Sequence, residues 1–344
     1  MTRIAIVGAG TMGNIHGQSC LELPDATVTW VVDRDRARAS ALAAGHGARV
    51  AATPEEAVGA DDVDAVLVAT PTPSHRTVTE LAAAAGKDVF CEKPIARSLA
   101  DGEAMVAACA RAGVRLMVGH VVRFFPEYAR IHELLREGAV GQVGIVRASR
   151  VNAYPRIDRN WYADLAQSGG PIVDLMIHDL DTLRWYFGEV ERVYARGLSY
   201  TPQQPTVDYA LAILRFAGGV VAHVEASWAH ASFRTAIEIA GSEGVIRHAS
   251  DETAAIRIEH TAPDGADGPA AEGVQVPRNP LAESPYQTEL RHFLDGLTTS
   301  APFLVGGEEA VRSLGVALAA LESVRTGRPV HFEGGRARLE EVAR

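Results

Sequence analysis

Three glycines at G-x-G-x-x-G spacing, Gly8, Gly10 and Gly13, follow the apolar run Ile4-Ala5-Ile6-Val7. No other feature restricts the fold of this chain as much. A short continuous apolar run is what a strand buried on both faces of a parallel sheet requires. Asn14-Ile15-His16-Gly17-Gln18-Ser19 then opens a helix. In such a strand–turn–helix, Gly8 permits the tight turn, Gly10 admits a pyrophosphate to the backbone, and Gly13 lets helix pack close to strand. The helix start, at Thr11, Met12 and Gly13, offers N–H groups and a favourable dipole to the diphosphate. A second apolar run, Val28–Val32, ends in Asp33, about 20 residues past Gly13, where a carboxylate takes both ribose hydroxyls of an adenosine. That acid repels a 2′-phosphate and points to NAD. Arg34 beside it can cover such a phosphate, so NADP stays open.

Further along, strand and helix signals alternate. Asp64–Thr70 reads as a buried strand ending in Pro71-Thr72-Pro73-Ser74-His75, and Asp88–Cys91 as another ending in Glu92-Lys93-Pro94. Val114–Gly119 is a last parallel strand, with helices over 77–85 and 99–112 between them. The expectation is a doubly wound parallel sheet over residues 1–120. Beyond it the texture changes, and 121–344 is expected to form a second, α+β domain. Strand-like segments at 143–151, 190–198, 208–216, 220–229 and 235–241 predict a large, mostly antiparallel open sheet, with a hairpin turn at Ala217-Gly218-Gly219. Helices are expected at 126–137, 174–187, 286–298 and 308–326, and a short strand at 329–332. Thr261–Pro280 reads as an exposed loop and Arg336-Ala337-Arg338 as a solvated helix end.

Composition narrows the function classes. The 344-residue chain carries a net charge of −10, which argues against nucleic acid or an acidic membrane surface as partner. No signal peptide precedes the first strand, and no apolar run reaches about 18 residues, the length of a membrane span. Cys20, Cys91 and Cys109 have no C-x-x-C spacing and are an odd set. They read as reduced thiols of a cytoplasmic protein, with no disulfide framework and no metal site.

At Glu92-Lys93-Pro94 the chain resembles the Gfo/Idh/MocA family of NAD(P)-dependent oxidoreductases. The resemblance runs end to end: the glycine motif, Ala69-Thr70-Pro71 with His75, Val118–Phe124, Gly141–Gly144, Ser168–Asp179 and the closing Gly327-Arg328-Pro329-Val330. Pro171 stands where the family usually has a third glycine. The resemblance implies a Rossmann domain plus an open-sheet domain, and catalysis by the equivalents of Lys93, Asp174 and His178. Asp174 and His178 lie at i and i+4, on one face of a helix. His178 is the expected general base, Lys93 the charge facing the developing alkoxide, and Asp174 an orienting acceptor. Thr70, Pro71, His75, Glu92, Lys93, His120 and Arg123 are cofactor-side candidates. For Arg123 an ion pair with a helix is the competing reading, and for His75 a helix cap. Asn152, Tyr154, Asn160 and Trp161 are substrate candidates beside Lys93, Asp174 and His178, since amides and aromatic faces bind polyols.

The expected activity is oxidation of a secondary hydroxyl of a cyclic polyol or sugar, in the manner of inositol 2-dehydrogenase. A sugar or sugar-nucleotide dehydrogenase is the nearest alternative. The rival from another class is a non-catalytic, NAD(P)-binding, sugar-sensing regulator of the same fold. The resemblance also implies a homodimer or homotetramer built through the second domain's sheet.

Overall fold

The computed structural model describes residues 1–155, 161–199, 208–251, 283–334 and 336–339. The chain begins β1 (Thr2–Val7), α1 (Thr11–Glu22), β2 (Ala26–Val32), α2 (Arg36–His46), β3 (Arg49–Val50) and α3 (Pro54–Val58). It continues β4 (Ala65–Val68), α4 (His75–Ala84), β5 (Asp88–Glu92), α5 (Leu99–Ala112) and β6 (Leu116–Gly119). Then follow α6 (Pro126–Arg136), β7 (Val143–Ala153), α7 (Leu165–Ser168), α8 (Ile177–Phe187), β8 (Val190–Leu198) and β9 (Tyr209–Phe216). The remainder is β10 (Val221–Ser227), β11 (Ala229–Gly241), β12 (Val245–Ala249), α9 (Pro285–Thr299), α10 (Gly307–Thr326), β13 (Val330–Glu333) and β14 (Arg336–Leu339).

Described residues of 1–124 and 278–311 form one compact unit, and those of 125–277 and 312–344 a second. The first boundary between these units falls at Phe124, close to the break expected after 120. α9, far along the chain, belongs with the first unit because Leu290, Phe293 and Leu294 complete its core beside Ile4, Ile6, Leu67 and Phe90.

In the first unit all pairings of the six-stranded sheet are parallel, in the order β3-β2-β1-β4-β5-β6. Every residue of β4 is buried, as a strand covered by helices on both faces must be. Helix boundaries follow local chemistry. Asp35 caps α2, Thr53 caps α3 ahead of Pro54, and Ser98 caps α5, each satisfying N–H groups that the helix itself leaves unpaired.

The second unit holds an eight-stranded sheet in the order β12-β11-β7-β10-β9-β8-β13-β14. The β9–β10 hairpin closes at Gly219, whose φ is +92°. Pairing is antiparallel except between β7 and β10, which run parallel at the centre. Two expectations change here. Residues 336–338 lie in β14, paired with β13, because an edge strand was free to accept them. The helix expected over 174–187 begins instead as a π-helical turn, Ile172–Met176, before α8. The loop expected at 261–280 lies outside the described residues.

Candidate active site

The carboxyl ends of β1, β4, β5 and β6, neighbours in one parallel sheet, carry Gly8, Thr70, Lys93 and His120. That edge is where ligands of open α/β sheets gather. At Gly8, φ is +105°, and a Cβ there would lie 2.5 Å from the Ala69 carbonyl oxygen. A Cβ at Gly13 would lie 1.9 Å from the Gly8 oxygen, whereas one at Gly10 would meet nothing within 4 Å among the described residues. The first and third glycines are thus demanded by the chain's own packing. The second leaves an open cradle over the start of α1, which no described side chain caps. Asn14 braces the turn by donating to the Ala9 and Gly10 carbonyls at 3.0 and 2.8 Å.

Asp33 accepts from the Ala9 N–H and from the Asp35 N–H, both at 2.7 Å. It therefore locks the glycine turn to the end of β2, and each oxygen keeps a further lone pair for a ribose hydroxyl. Arg34 is exposed. Thr70 Oγ1 is buried without a hydrogen-bond partner among the described residues, close to Gly8, whose Cβ would lie 2.8 Å from the Thr70 nitrogen. An open cradle, an uncapped helix start, an orphaned hydroxyl and a placed carboxylate fit a dinucleotide. Gly8, Gly10, Thr11, Met12, Gly13 and Asp33 would hold it.

Glu92 ends β5 fully inside the protein. His16 Nε2 lies 2.6 Å from its Oε1, and the Lys93 N–H donates to its Oε2 at 3.0 Å. Burial pushes the Glu92 carboxyl up, but the His16 hydrogen bond and charge, with Lys93, overcome this and hold it below the usual range. Both Glu92 oxygens are thus engaged within the protein, by His16 and by the Lys93 main chain.

Two further cofactor-side candidates also have partners within the protein. His75 is 1% exposed, with Nδ1 at 3.0 Å from the Pro94 oxygen and Nε2 at 2.9 Å from the Thr70 oxygen. Each ring nitrogen faces a main-chain carbonyl, and the neutral ring donates to one of the two. Burial lowers its pKa, against the pull of the Thr70 carbonyl, the Glu92 carboxylate and the Pro94 carbonyl. Arg123 is buried, donating to the Leu304 oxygen at 3.3 Å and pairing with Glu309 at 3.1 Å. The ion-pair reading holds for it. His120 is buried just past β6, and Pro71 leads into the short turn Thr72–Ser74.

In the second unit the π turn and α8 carry Asp174 and His178 in succession. Four residues make close to one turn in either helix type, so the pair keeps one face. Asp174 is buried and His178 half-buried. Pro171 fits without strain: Gly169 and Gly170 take φ of +74° and +62°, while Pro171 sits at φ −62°, where its ring is fixed anyway. A π turn marks functional sites often enough to be a signal, yet nothing in local composition announces it.

Asn152 is buried and accepts from the Ala153 N–H at 2.8 Å. Tyr154 and Tyr162 both stand edge-on to Trp228, at 5.6 and 5.8 Å between ring centres, and Trp161 stacks on Tyr162 at 4.3 Å. Asn160 lies outside the described residues. Among the described residues no three His, Cys, Asp or Glu side chains gather as a metal site, and no helix is long and apolar enough to cross a membrane.

Residues 2–120 match the oxidoreductase family with NAD-binding Rossmann fold, and 128–247 match the GFO/IDH/MocA C-terminal domain. The chain is 32% identical to the D-apiose dehydrogenase of Paraburkholderia graminis over 96% of its own length and 89% of the relative. It is 30% identical to the myo-inositol 2-dehydrogenase of Thermotoga maritima over 96% and 98%. Among solved structures, GenD2 from gentamicin A biosynthesis, in complex with NAD, superposes with a TM-score of 0.86 at 28% identity, covering 97% of each chain. With an NAD-binding Rossmann model over residues 2–120, a C-terminal-domain model over 128–247 and a dehydrogenase relative at 32% identity along nearly its whole length, the chain belongs to the Gfo/Idh/MocA family of oxidoreductases.

Proposed function

We propose that this chain oxidises a secondary hydroxyl of a cyclic polyol or sugar, with Lys93, Asp174 and His178 handling the proton and the substrate hydroxyls. The observation that carries the reading is the place of Lys93: it follows β5 directly, on the same sheet edge as the glycine cradle. Loss of hydride from a carbinol carbon requires the hydroxyl proton to leave as the carbonyl forms. His178, half-buried at the start of α8, takes that proton. Lys93 sets a positive charge where alkoxide develops, and Asp174 accepts from a substrate hydroxyl and orients it. Bound NAD supplies the hydride acceptor. Tyr154 and Trp161 offer ring faces to the substrate, and the Asn152 amide a donor. The D-apiose and myo-inositol enzymes among the relatives support this substrate class. The test is incubation of the pure protein with NAD and a panel of inositols, aldoses and sugar acids, following nicotinamide reduction by absorbance. Turnover of one subgroup is expected. NAD binding without reduction by any member would overturn the reading in favour of a sensor.

A homodimer or homotetramer through the eight-stranded sheet completes the proposal. Ile145, Leu198, Leu211, Ile213 and Val245 are exposed, and strand register puts them all on one face. Such a face invites a second copy. Sedimentation at micromolar protein should give at least twice the chain mass, and a monomer would refute it. With three buried free cysteines, we assign the protein to the cytoplasm.

A further inference from the structure

The amino group of Lys93 hangs on a flexible four-carbon stem, so its reach is set by the main chain at its root. That main chain is held on both sides by a buried histidine. On the amino side, the Lys93 N–H donates to Glu92 Oε2 at 3.0 Å, and His16 Nε2 holds Oε1 of the same carboxylate at 2.6 Å. His16 comes from α1, the helix that the glycine turn opens. Its ring is wholly buried and stands edge-on to Phe90 at 5.0 Å and Tyr286 at 6.0 Å, which fixes its plane. His16 Nδ1 is buried with no hydrogen-bond partner among the described residues. The Glu92 carboxylate opposite Nε2 can only accept, so Nε2 donates to it. On the carboxyl side, Pro94 has no N–H to anchor it, and its carbonyl oxygen meets His75 Nδ1 at 3.0 Å. The other nitrogen of His75 lies 2.9 Å from the Thr70 oxygen.

We propose that His16 and His75 are positioning residues: acting through the Glu92 carboxylate and the Pro94 carbonyl, they fix the main chain on either side of Lys93 and so aim its amino group. The consequence for turnover rests on the reading that Lys93 serves the reaction; the consequence for the turn does not. His16 also ties that aim to α1, so the cradle for the diphosphate and the root of Lys93 move as one piece. A role confined to stability would need only that the Glu92 charge be paired and the ring volumes filled.

The test compares His16→Ala, His16→Gln, His75→Phe and Lys93→Ala in the full chain, by hydrogen exchange at the Lys93 amide, NADH affinity and steady-state kinetics. Glutamine can present its side-chain N–H near the site of His Nε2, and phenylalanine fills the His75 volume without its nitrogens. His16→Ala and His75→Phe should speed exchange at Lys93 roughly tenfold or more while β1 and β4 stay protected. Both should lower kcat roughly ten- to a hundredfold, with NADH affinity within about twofold, and His16→Gln should restore both readouts. Unchanged exchange at Lys93 in both variants would overturn the proposal. So would equal losses in His16→Ala and His16→Gln that track melting temperature. Should His16→Ala fail to fold, His75→Phe decides by the same criteria. Wild-type turnover in Lys93→Ala would instead remove the functional reading, while the exchange data still decide whether the histidines hold the turn.

Discussion

The two sheets of this protein bury their strands by opposite rules. In the six-stranded sheet, Ile4, Ile6, Leu67, Phe90 and Met117 face a core shared with α1, α2 and α9. Their alternates Ala5, Val66, Val68 and Cys91 are buried too. In the eight-stranded sheet, β9 alternates: Ala210, Ala212, Leu214 and Phe216 are buried, while Leu211 and Ile213 are exposed. Helices on both faces produce the first pattern, and one covered face the second. Apolar residues on an uncovered face are the informative exception. On that face they stand exposed, whereas the same residue types in β4 form a core.

A charge placed in each sheet breaks or sharpens that comparison most strongly. Val66→Asp would bury an unpaired carboxylate and should cost about 3–5 kcal/mol, enough to unfold the first unit. Leu211→Asp should leave the monomer's melting temperature nearly unchanged and shift sedimentation toward the monomer. If Leu211→Asp melts the protein as badly as Val66→Asp, that face is not an uncovered one.

The units should also divide the chemistry. His178→Ala and Lys93→Ala are each expected to cut turnover by roughly 10²–10⁴-fold, the range for a positioned acid–base group, with NAD affinity nearly intact. Gly10→Val should do the reverse, filling the open cradle and weakening NAD while the fold persists. Loss of NAD binding in His178→Ala would erase the division. A smaller effect is expected at Asp33. Because it accepts from the Ala9 N–H, Asp33→Ala should narrow the preference for NAD over NADP about tenfold through the lost charged hydrogen bond. A titration in which the wild type favours NADP would sink this.

The smallest effect is on pH stability. Burial lowers the His75 pKa, so its neutral form is favoured on folding. That contribution is present above the unfolded value near 6.5 and is lost as pH falls through the folded one. Glu92 is held low chiefly by His16, against burial. Its contribution is present above the unfolded carboxylate value and disappears as pH falls through the lower folded one. The first unit should thus weaken in two steps on acidification, and His75→Phe should remove the first. Melting curves across acid pH that are parallel for wild type and His75→Phe would contradict this.

What sequence reading could not name was in each case the partner in a distant segment. Arg123 is paired by Glu309, the ring of His75 is taken by a carbonyl beyond β5, and α9 completes a core that began at Ile4. β14 exists because β13 offers it an edge. None of these partners is signalled by periodicity near the residue concerned.

The chain's own order of residues determined the elements whose causes are local. A run of apolar residues makes a buried strand, three glycines make one turn, and an acid about 20 residues on marks the end of the second strand. It determined equally that Lys93 follows a strand and that Asp174 and His178 share a helical face, since both are matters of spacing. Only the tertiary structure decided which polar groups remain for a ligand. Carboxylates and imidazoles look alike along a sequence, and folding consumes some of them. Glu92, His75 and Arg123 are spent on carbonyls, N–H groups and one another's neighbours, because a buried polar atom must find a partner. The Gly10 cradle and the Thr70 hydroxyl are what packing left open.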